Sequence, residues 1–408
     1  MENKQYILAG WLIDGSGGPA RKDALLTIDG GRFAAVGTFA PDSPPPNGLL
    51  TDLSHCTLVP PLVDSHVHLS LSGTIDPEAR RQQLTAEYET IRPLIARNLS
   101  DALAHGVLAV RDGGDGHGHA LRFVGERADR DREPVLVKTA GRAWHQAGRY
   151  GSMLGRTPAS GETLASAFAR DPECADHLKL INSGPNSLRV YARETSPQFT
   201  LAEMQAAVRL ARQRGMKVMV HANGELPVRL ALAAGCDSIE HGYFMGRQNL
   251  ALMAAKGTVW VPTLYAMQAC AEHLARGEQT NDPAVARRTL QHQLEQVALA
   301  RELGVTIALG TDAGSIGVVH GAAVSEELRL LLMAGCTVTE AICCATWNGA
   351  RLLGVDDQLG LIAPGRMANF LAVRGTPAQL PCNLSSPETI YLNGLPCPKI
   401  FSMKYPDE

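Results

Sequence analysis

The sequence predicts an α/β protein: a (β/α)₈ TIM barrel with a small β-sandwich domain formed by both ends of the chain. Two observations favour this fold. A motif of Ala/Leu-rich helix, glycine and short apolar strand recurs along the chain, and eight apolar strands fall within residues 57–312. Helices that alternate with strands indicate a parallel sheet, and eight parallel strands are the number that forms a TIM barrel. A doubly wound open sheet is the alternative fold.

The recurring motif explains where each helix ends. A glycine after the last helical turn can adopt the left-handed conformation that stops a helix, and an apolar strand then begins. The five instances are DALAHG-VLAVRD, ARQRG-MKVMVH, ALAAG-CDSIEH, LMAAKG-TVWVPT and ARELG-VTIALGTD. We therefore predict helix caps at Gly106, Gly215, Gly235, Gly257 and Gly304. Three further apolar runs, LVPPLVDSHVHL, PVLVKTAG and DHLKLINSG, complete the eight strands.

Short strands separated by turn residues occur at both ends of the chain. The first segment is rich in glycine, and the stretch DGG between two apolar runs predicts a hairpin. After the helical pattern of residues 323–353, the run LGLIAPGRMANFLAV returns to short strands. We predict that residues 1–56 and 360–408 form the small β-sandwich domain and that residues 57–359 form the barrel.

Composition narrows the classes of partner. The 408 residues are 45% hydrophobic and carry a formal net charge of -3, with Lys and Arg scattered along the chain. This balance argues against a nucleic-acid or membrane-surface binder and favours a small-molecule substrate. We find no apolar stretch of the length of a membrane span or a secretion signal, so we expect a cytoplasmic protein. The nine cysteines include no CxxC pair, which predicts buried free thiols. We also expect a homo-oligomer.

Potential metal ligands stand at the carboxyl ends of five predicted strands. They are His66 and His68 on the first, Lys179 on the fourth, His221 on the fifth, His241 on the sixth and Asp312 on the eighth. In a barrel all these ends open onto one mouth, so the residues would become neighbours. His66 and His68 are two apart on one strand, so both imidazoles face the same side and can reach one ion. Imidazole ligands favour zinc, iron, nickel or cobalt over magnesium, and we expect zinc.

Lys179 and Asp312 predict more than simple metal binding. A charged ammonium inside a barrel is strongly disfavoured, so burial favours the neutral amine of Lys179. A neutral amine can take up CO₂ to form a carbamate, whose two oxygens can reach two metals. Asp312, in LGTDAG, is placed to take a proton from the attacking water and pass it to the leaving group. The alternatives are a Lys179 that points outward or pairs with a carboxylate, and an Asp312 that only caps a helix.

These segments resemble a known family. VDSHVHL, HLKLINSG, VMVHANG, SIEHG and LGTDAG, followed by HG…EEL…AGCT…EAI, look like the amidohydrolase superfamily, in particular the imidazolonepropionase-like branch that includes prolidase-type dipeptidases. The resemblance runs from about residue 57 to residue 373 and implies a metal-dependent hydrolase. Carried over by position, it implies two divalent metal ions: one on His66, His68 and Asp312, a second on His221 and His241, and carboxylated Lys179 bridging them.

The residues that would hold the substrate depart from those of the relatives. Asn223 stands where many relatives have Tyr, and HQAGRYGS replaces a Gly-Gly-His stretch after the third strand. These differences leave the metal chemistry intact and concern the substrate. The loop HQAGRYGSMLGR offers an arginine that can grip a carboxylate through two hydrogen bonds. The candidate substrate contacts are His145, Arg149, Tyr150, Asn223 and, in the loop after the eighth strand, His320.

The predicted function is hydrolysis of an amide-like bond in a small substrate, such as an Xaa-Pro dipeptide or an N-acyl amino acid, by a hydroxide that bridges two metal ions. Asp312 is the expected catalytic residue. The alternative is a mononuclear deaminase or cyclic-imide (imidazolone-type) hydrolase with a Glu as proton shuttle. Deaminase-like relatives often carry that Glu three residues after the fifth-strand histidine, but here Gly224 is third and Glu225 fourth. A scaffold that has lost catalysis is a further alternative, although all six ligands are present.

Overall fold

The computed structural model describes residues 4–40, 49–127, 134–275 and 282–397. Its strands are β1 (Gln5–Leu12), β2 (Arg21–Asp29), β3 (Arg32–Thr38), β4 (Leu49–Val59), β5 (Leu62–Val67), β6 (Val107–Asp112), β7 (Leu136–Thr139), β8 (Ala143–Trp144), β9 (Gly155–Arg156), β10 (His177–Ile181), β11 (Lys217–Ala222), β12 (Ser238–His241), β13 (Val259–Val261), β14 (Phe370–Arg374), β15 (Thr389–Leu392) and β16 (Leu395–Pro396). The parts of the predicted terminal domain at residues 1–3, 41–48 and 398–408 lie outside the described residues.

The α-helices of the described segments are α1 (Pro77–Thr85), α2 (Tyr88–Ala104), α3 (His119–Glu126), α4 (Leu164–Ala169), α5 (Leu201–Gln213), α6 (Glu225–Ala234), α7 (Gly246–Lys256), α8 (Leu264–Leu274), α9 (Pro283–Glu302), α10 (Ala322–Met333), α11 (Val338–Cys343), α12 (Gly349–Leu353) and α13 (Leu380–Asn383). A π-helical turn, Cys344–Asn348, joins α11 to α12, and a 3-10 turn spans Pro377–Gln379. Among these helices, none combines the length and apolar character that crossing a lipid bilayer requires.

Strands from both ends of the chain form one seven-stranded sheet, in the order β16-β15-β14-β4-β1-β2-β3. β4 joins the two ends, because it pairs with β1 on one edge and with β14 on the other. The sheet curls: N of Phe33 donates to O of Arg366 (3.0 Å), and the rings of Phe33 and Phe370 lie 6.1 Å apart. Within the described residues, the predicted two-sheet sandwich is therefore corrected to a single sheet curled around its own apolar core.

The predicted barrel strands form two parallel sheets, β5-β6-β7 and β13-β12-β11-β10-β8-β9. Seven of the eight predicted strands are regular: β5, β6, β7, β10, β11, β12 and β13. The glycines that precede five of the predicted strands all have a positive φ, between 68° and 87°, so the predicted helix caps are confirmed. The sequence motif thus located the elements that surround the site.

The eighth predicted strand, in VTIALGTD, is irregular. Its residues connect the two parallel sheets through isolated bridges, from Ile307 to β13 and from Ala313 to β5. Between these bridges, N of Thr311 donates to the side chain of Asp64 (3.0 Å), and Asp312 has a φ of 59°. Both features take the backbone out of strand geometry. The fold is α/β and TIM-barrel-like, with an irregular segment at the eighth position.

Candidate metal centre and active site

One cavity lies at the carboxyl ends of the parallel strands, and all six predicted metal ligands line it. Its walls are His66, His68, Leu71, Arg80, Tyr150, Met153, Leu154, Lys179, His221, His241, Asp312 and Ser315. The strands carry these residues inward because parallel strands covered on both faces are buried along their length. Every residue of β5, β10 and β12 is buried. The predicted convergence at a single mouth is therefore present.

His66, His68 and Asp312 form a close group of potential ligand atoms, all within 4.8 Å of one another. Nε2 of His66 lies 3.6 Å and Nε2 of His68 lies 3.4 Å from Oδ1 of Asp312. The other nitrogen of each ring forms a hydrogen bond with the protein: Nδ1 of His66 bonds to Glu240 (2.7 Å), and Nδ1 of His68 bonds to O of Gly114 (2.9 Å). Metal-binding histidines are oriented in this way, with one nitrogen anchored and the other presented.

The chemistry of this group fits a divalent metal ion. Nε2 of His66 is buried and has no hydrogen-bond partner in the described part of the chain. Burial and the charge of Lys179 lower the pKa of His66 to about 4, so its imidazole is neutral near pH 7. A neutral imidazole with a buried, unsatisfied lone pair is the state that binds a metal.

His221 and His241 form the second pair of imidazoles, with ring centroids 4.7 Å apart. Nε2 of His221 bonds to O of Gly184 (3.2 Å), which leaves Nδ1 as the atom that could bind a metal ion. In His241 the roles are reversed, because Nδ1 bonds to Oγ1 of Thr263 (2.7 Å) and leaves Nε2. Burial lowers the pKa of His241 to about 3 and holds the pKa of His221 well below its ordinary value, so both rings are neutral.

Two of the six residues have strained backbones. His241 has a φ of 63° and Asp312 a φ of 59°, in the left-handed region that few residues other than glycine adopt. The carbonyl of His241 accepts hydrogen bonds from the side chains of Trp260 (3.0 Å) and Gln293 (2.5 Å), which hold this conformation. Such strain often marks functional sites, where it fixes the direction of a side chain.

Lys179 is buried in β10, with 1% of its surface exposed. Burial lowers its pKa to about 8, and Arg111 acts in the same direction, while Glu240 opposes it. Its Nζ makes no hydrogen bond or ion pair with any described residue. The alternatives of an outward-pointing or paired lysine therefore do not describe Lys179.

A buried ion pair joins Arg111 to Glu240 behind the site, and the sequence reasoning missed the role of Glu240. Arg111 donates to Glu240 (2.8 Å), to O of Ser65 (2.7 Å) and to Oγ of Ser238 (2.9 Å). Glu240 also anchors His66, and the charge of Arg111 helps to hold the pKa of Glu240 well below its usual range against the effect of burial. The signal in the sequence was a charged residue, Glu240, directly before His241 within a predicted barrel strand.

Of the five predicted substrate contacts, the structure brings only Tyr150 into the cavity. Arg149 is exposed and donates to O of Ser196 (2.8 Å), so it points along the surface. His145 is buried and bonds to O of Gln146 (2.9 Å). These two predictions are corrected: of the three contacts predicted in this loop only Tyr150 lines the cavity, together with Met153 and Leu154.

Asn223 and His320 lie behind the walls of the cavity. The side chain of Asn223 accepts from N of Tyr243 (3.1 Å), and its amide nitrogen donates to O of Gly184 (3.4 Å), the carbonyl that also holds Nε2 of His221. Nε2 of His320 bonds to O of Leu71 (2.9 Å), and burial lowers its pKa to about 4. Among the described residues, neither side chain lines the cavity.

Sequence reasoning also missed Arg80. This residue lies in α1, in a segment without apolar periodicity, and its guanidinium lines the cavity beside Tyr150 and Asp312. A second cluster with metal-ligand chemistry, His55, Cys56 and Glu388, lies in the terminal sheet. There the carboxylate of Glu388 is already paired with the guanidinium of a neighbouring arginine (2.8 Å).

The sequence matches a known protein family over most of its length. The profile of the amidohydrolase family matches residues 57–401. Ochratoxinase from Aspergillus niger is 27% identical over 404 residues, which cover 91% of this chain and 82% of that protein. Imidazolonepropionase from Cupriavidus pinatubonensis is 28% identical over 415 residues, which cover 88% of this chain and 86% of that protein.

Among solved structures, a Xaa-Pro dipeptidase with methionine bound in the active site is similar to this chain, with a TM-score of 0.79 and 27% identity. The match covers 97% of this chain and 99% of that one. The family match extends over most of the sequence and includes all six residues that converge on the cavity. The chain belongs to the amidohydrolase family and is a hydrolase of C–N bonds.

Proposed function

We propose that this protein is a binuclear metal-dependent amidohydrolase that cleaves an amide-like bond in a small substrate, either an Xaa-Pro dipeptide or an N-acyl amino acid. The observation that carries the proposal is the convergence of four imidazoles, one carboxylate and one unpaired buried lysine on a single cavity. The similarity to a Xaa-Pro dipeptidase whose active site binds an amino acid supports the substrate class. We also propose that residues 57–359 act as the catalytic domain and close as a (β/α)₈ barrel through the irregular eighth segment.

Two ions account for the ligand set better than one. His66, His68 and Asp312 would hold the first, and His221 with His241 would hold the second. The neutral amine of Lys179 would add to CO₂, forming an N–C bond and releasing one proton, and the resulting carbamate has an oxygen for each ion. We propose zinc because the ligands are mostly imidazoles. When bound, such ions polarise the scissile carbonyl and lower the pKa of the attacking water.

The remaining chemistry belongs to side chains of this chain. Asp312 accepts the proton of the attacking water and delivers it to the departing nitrogen. Its Oδ2 accepts a hydrogen bond from Oγ of Ser315 (2.9 Å), which fixes the carboxylate plane. Burial raises the pKa of Tyr150 to about 12, so its hydroxyl stays protonated and can donate to a substrate oxygen. Leu71 and Leu154 give the cavity an apolar wall for the substrate side chain.

The structure gives the mononuclear alternative less support. Its proton shuttle would have to be Glu225, which is exposed at the start of α6 and does not line the cavity within the described residues. A single ion would also leave Lys179 buried without a partner. The cytoplasmic location and the homo-oligomeric state remain predictions from the sequence.

Two measurements test the proposal: the metal content of the wild-type protein, and the turnover and metal content of the variant Lys179→Ala. Protein purified in bicarbonate buffer without chelator should contain close to two metal ions per chain by elemental analysis. Lys179→Ala should lose turnover and at least one ion, and a short carboxylic acid should restore part of both by supplying the missing bridge. A firm value of one ion per chain, unchanged by added metal and bicarbonate, would contradict the binuclear site. Wild-type turnover in Lys179→Ala would contradict the bridge.

A further inference from the structure

We propose that Arg80 binds a carboxylate of the substrate, so that the enzyme prefers peptides and acyl amino acids with a free carboxylate over their neutral amides. This inference rests on the proposed function and specifies the substrate class of the same site. Arg80 lines the cavity together with Tyr150 and belongs to α1, not to the buried strands that carry the histidines.

Among the described residues no carboxylate forms an ion pair with Arg80, although the charge of Asp312 acts on it. The residue is half-buried, and its Nη1 donates to O of Gly314 (2.8 Å). In the part of the chain that the structure describes, it forms no ion pair within 4.0 Å. Holding a cation partly out of water is unfavourable unless an anion or several hydrogen bonds compensate it. The guanidinium therefore has donors left for an anionic ligand that enters the cavity.

Other arginines near the site are already engaged. Arg111 is paired with Glu240 (2.8 Å) in the interior, and Arg142 is paired with Glu173 (2.5 Å). Arg149, which the sequence suggested for this task, lies on the surface. Since an arginine fork matches the two oxygens of a carboxylate, Arg80 is the side chain of this group with the chemistry and the position to bind one.

Polar contacts hold the helix of Arg80 over the cavity. α1 buries none of its residues, so apolar packing does not fix it. Gln83 and Ser72 exchange hydrogen bonds (2.9 and 3.1 Å), and His117 and His119 bond to backbone carbonyls at the end of the helix (3.2 and 3.0 Å). The glycine-rich loop DGGDGHGHA, which contains both histidines, thus holds the end of α1 in position. Because these contacts hold the mostly exposed helix α1 in place, α1 can position the side chain of Arg80 at the mouth of the cavity.

The surroundings of Arg80 suit one end of an amino-acid derivative. Tyr150 can add a neutral hydrogen bond, and the charge of Asp312 acts on both residues. Leu71 and Met153 lie in the same walls and can contact an apolar side chain. The ligand that fits is an α-carboxylate next to an apolar side chain, with its amide directed towards the metal ligands.

Matched substrates test the proposal. KM and kcat are measured for leucyl-proline and N-acetyl-L-leucine, each against its C-terminal amide, with wild type, Arg80→Met and Arg80→Lys. Loss of a charge-assisted contact should raise KM for the acids roughly 10- to 100-fold and leave KM for the amides within about 2-fold. Arg80→Lys should recover part of the preference. Arg81→Met is the control, because Arg81 is exposed on the same helix and pairs with Glu78.

The outcomes separate this inference from the proposed function. Equal losses for acids and amides would overturn it, since Arg80 would then only support the loop at Gly314. A wild type without preference for the acids would overturn it as well. If none of the four compounds is hydrolysed, the proposed substrate class fails. Calorimetric binding of N-acetyl-L-leucine then tests separately whether Arg80 binds a carboxylate. Binding that weakens in Arg80→Met and persists in Arg81→Met supports its role, whereas equal binding, or no binding to wild type, rejects it.

Discussion

Asp312 has a left-handed backbone, two histidines next to one carboxylate oxygen and a serine donor on the other. Each feature restricts the side chain of Asp312. A restricted carboxylate loses less conformational entropy when it accepts a proton in the transition state. Burial would raise the pKa of Asp312, but His68, His66 and His241 hold it well below its usual range. The residue is therefore ionised and oriented before a substrate arrives.

Asp312→Asn tests the proton transfer at this residue. The amide keeps an oxygen that can coordinate weakly but cannot accept a proton, so kcat should fall roughly 10²- to 10⁴-fold while much of the metal remains. Metal content is measured on the same samples. Ser315→Ala is the matched control: it keeps the carboxylate and removes one hydrogen bond, so kcat should fall less than about 10-fold. Retained turnover in metal-loaded Asp312→Asn would assign the base to another group.

At the scale of the element, the end of β6 is shaped to leave room for the imidazoles. A Cβ at Gly113, directly after this strand, would lie 2.9 Å from Cε1 of His68 and 3.4 Å from Nε2 of His66. Gly113 does not have a positive φ, so alanine is compatible with its backbone conformation. Space for the ligands, rather than a turn, explains a glycine at this position.

Gly113→Ala should therefore damage metal binding and leave the fold intact. The added methyl group displaces the two rings, and metal affinity should weaken roughly 10- to 100-fold, the range observed when the support of a ligand is disturbed. Competition with a chromophoric chelator measures the affinity, and circular dichroism checks the fold. In the control, Gly125→Ala, the Cβ meets no atom within 4 Å, and affinity should be unchanged. Wild-type affinity in Gly113→Ala would contradict this account.

At the scale of the whole molecule, the pair of Arg111 and Glu240 ties together the two parallel sheets, because Arg111 lies in β6 and Glu240 in β12. Both side chains are nearly fully buried. Removing one partner of a buried pair leaves the other charge uncompensated, which is much more costly than losing a surface pair. The pair should therefore affect global stability as well as the orientation of His66.

Glu240→Gln should lower the free energy of unfolding of the metal-free protein by about 3 kcal/mol. Urea unfolding followed by circular dichroism measures the change, and the absence of metal separates it from effects on metal binding. Glu326→Gln is the control, since Glu326 pairs with Arg329 on the surface (2.9 Å) and should contribute less than about 1 kcal/mol. Equal free energies of unfolding for the two variants would show that the buried pair of Arg111 and Glu240 does not stabilise the fold more than a surface pair does.

The predictable part of this molecule is the part that follows from periodicity. Helix, glycine cap and apolar strand are local patterns, so the positions of β6, β11 and β12 could be read from the sequence, and with the last two the predicted ligands His221 and His241 at their ends. The irregular geometry of the eighth strand could not, because N of Thr311 donates to the side chain of Asp64, which is far away in sequence. Arg80 and Arg149 were exchanged for a similar reason: only the tertiary structure shows that Arg80 lines the cavity and that Arg149 lies on the surface.

The terminal sheet has a consequence for synthesis on the ribosome. Strand β4 pairs with β14, and Oγ1 of Thr57 in β4 donates to O of Gly375, a residue 318 positions later. At the usual synthesis rate of 5–20 residues per second, β14 is made roughly 15 to 60 s after β4, and until then this edge of β4 is unpaired. During that interval the nascent chain carries an unpaired edge next to buried apolar residues such as Leu58, which is a template for association between chains. We expect nascent chains that stop before β14 to bind chaperones, and full-length chains to be released from them.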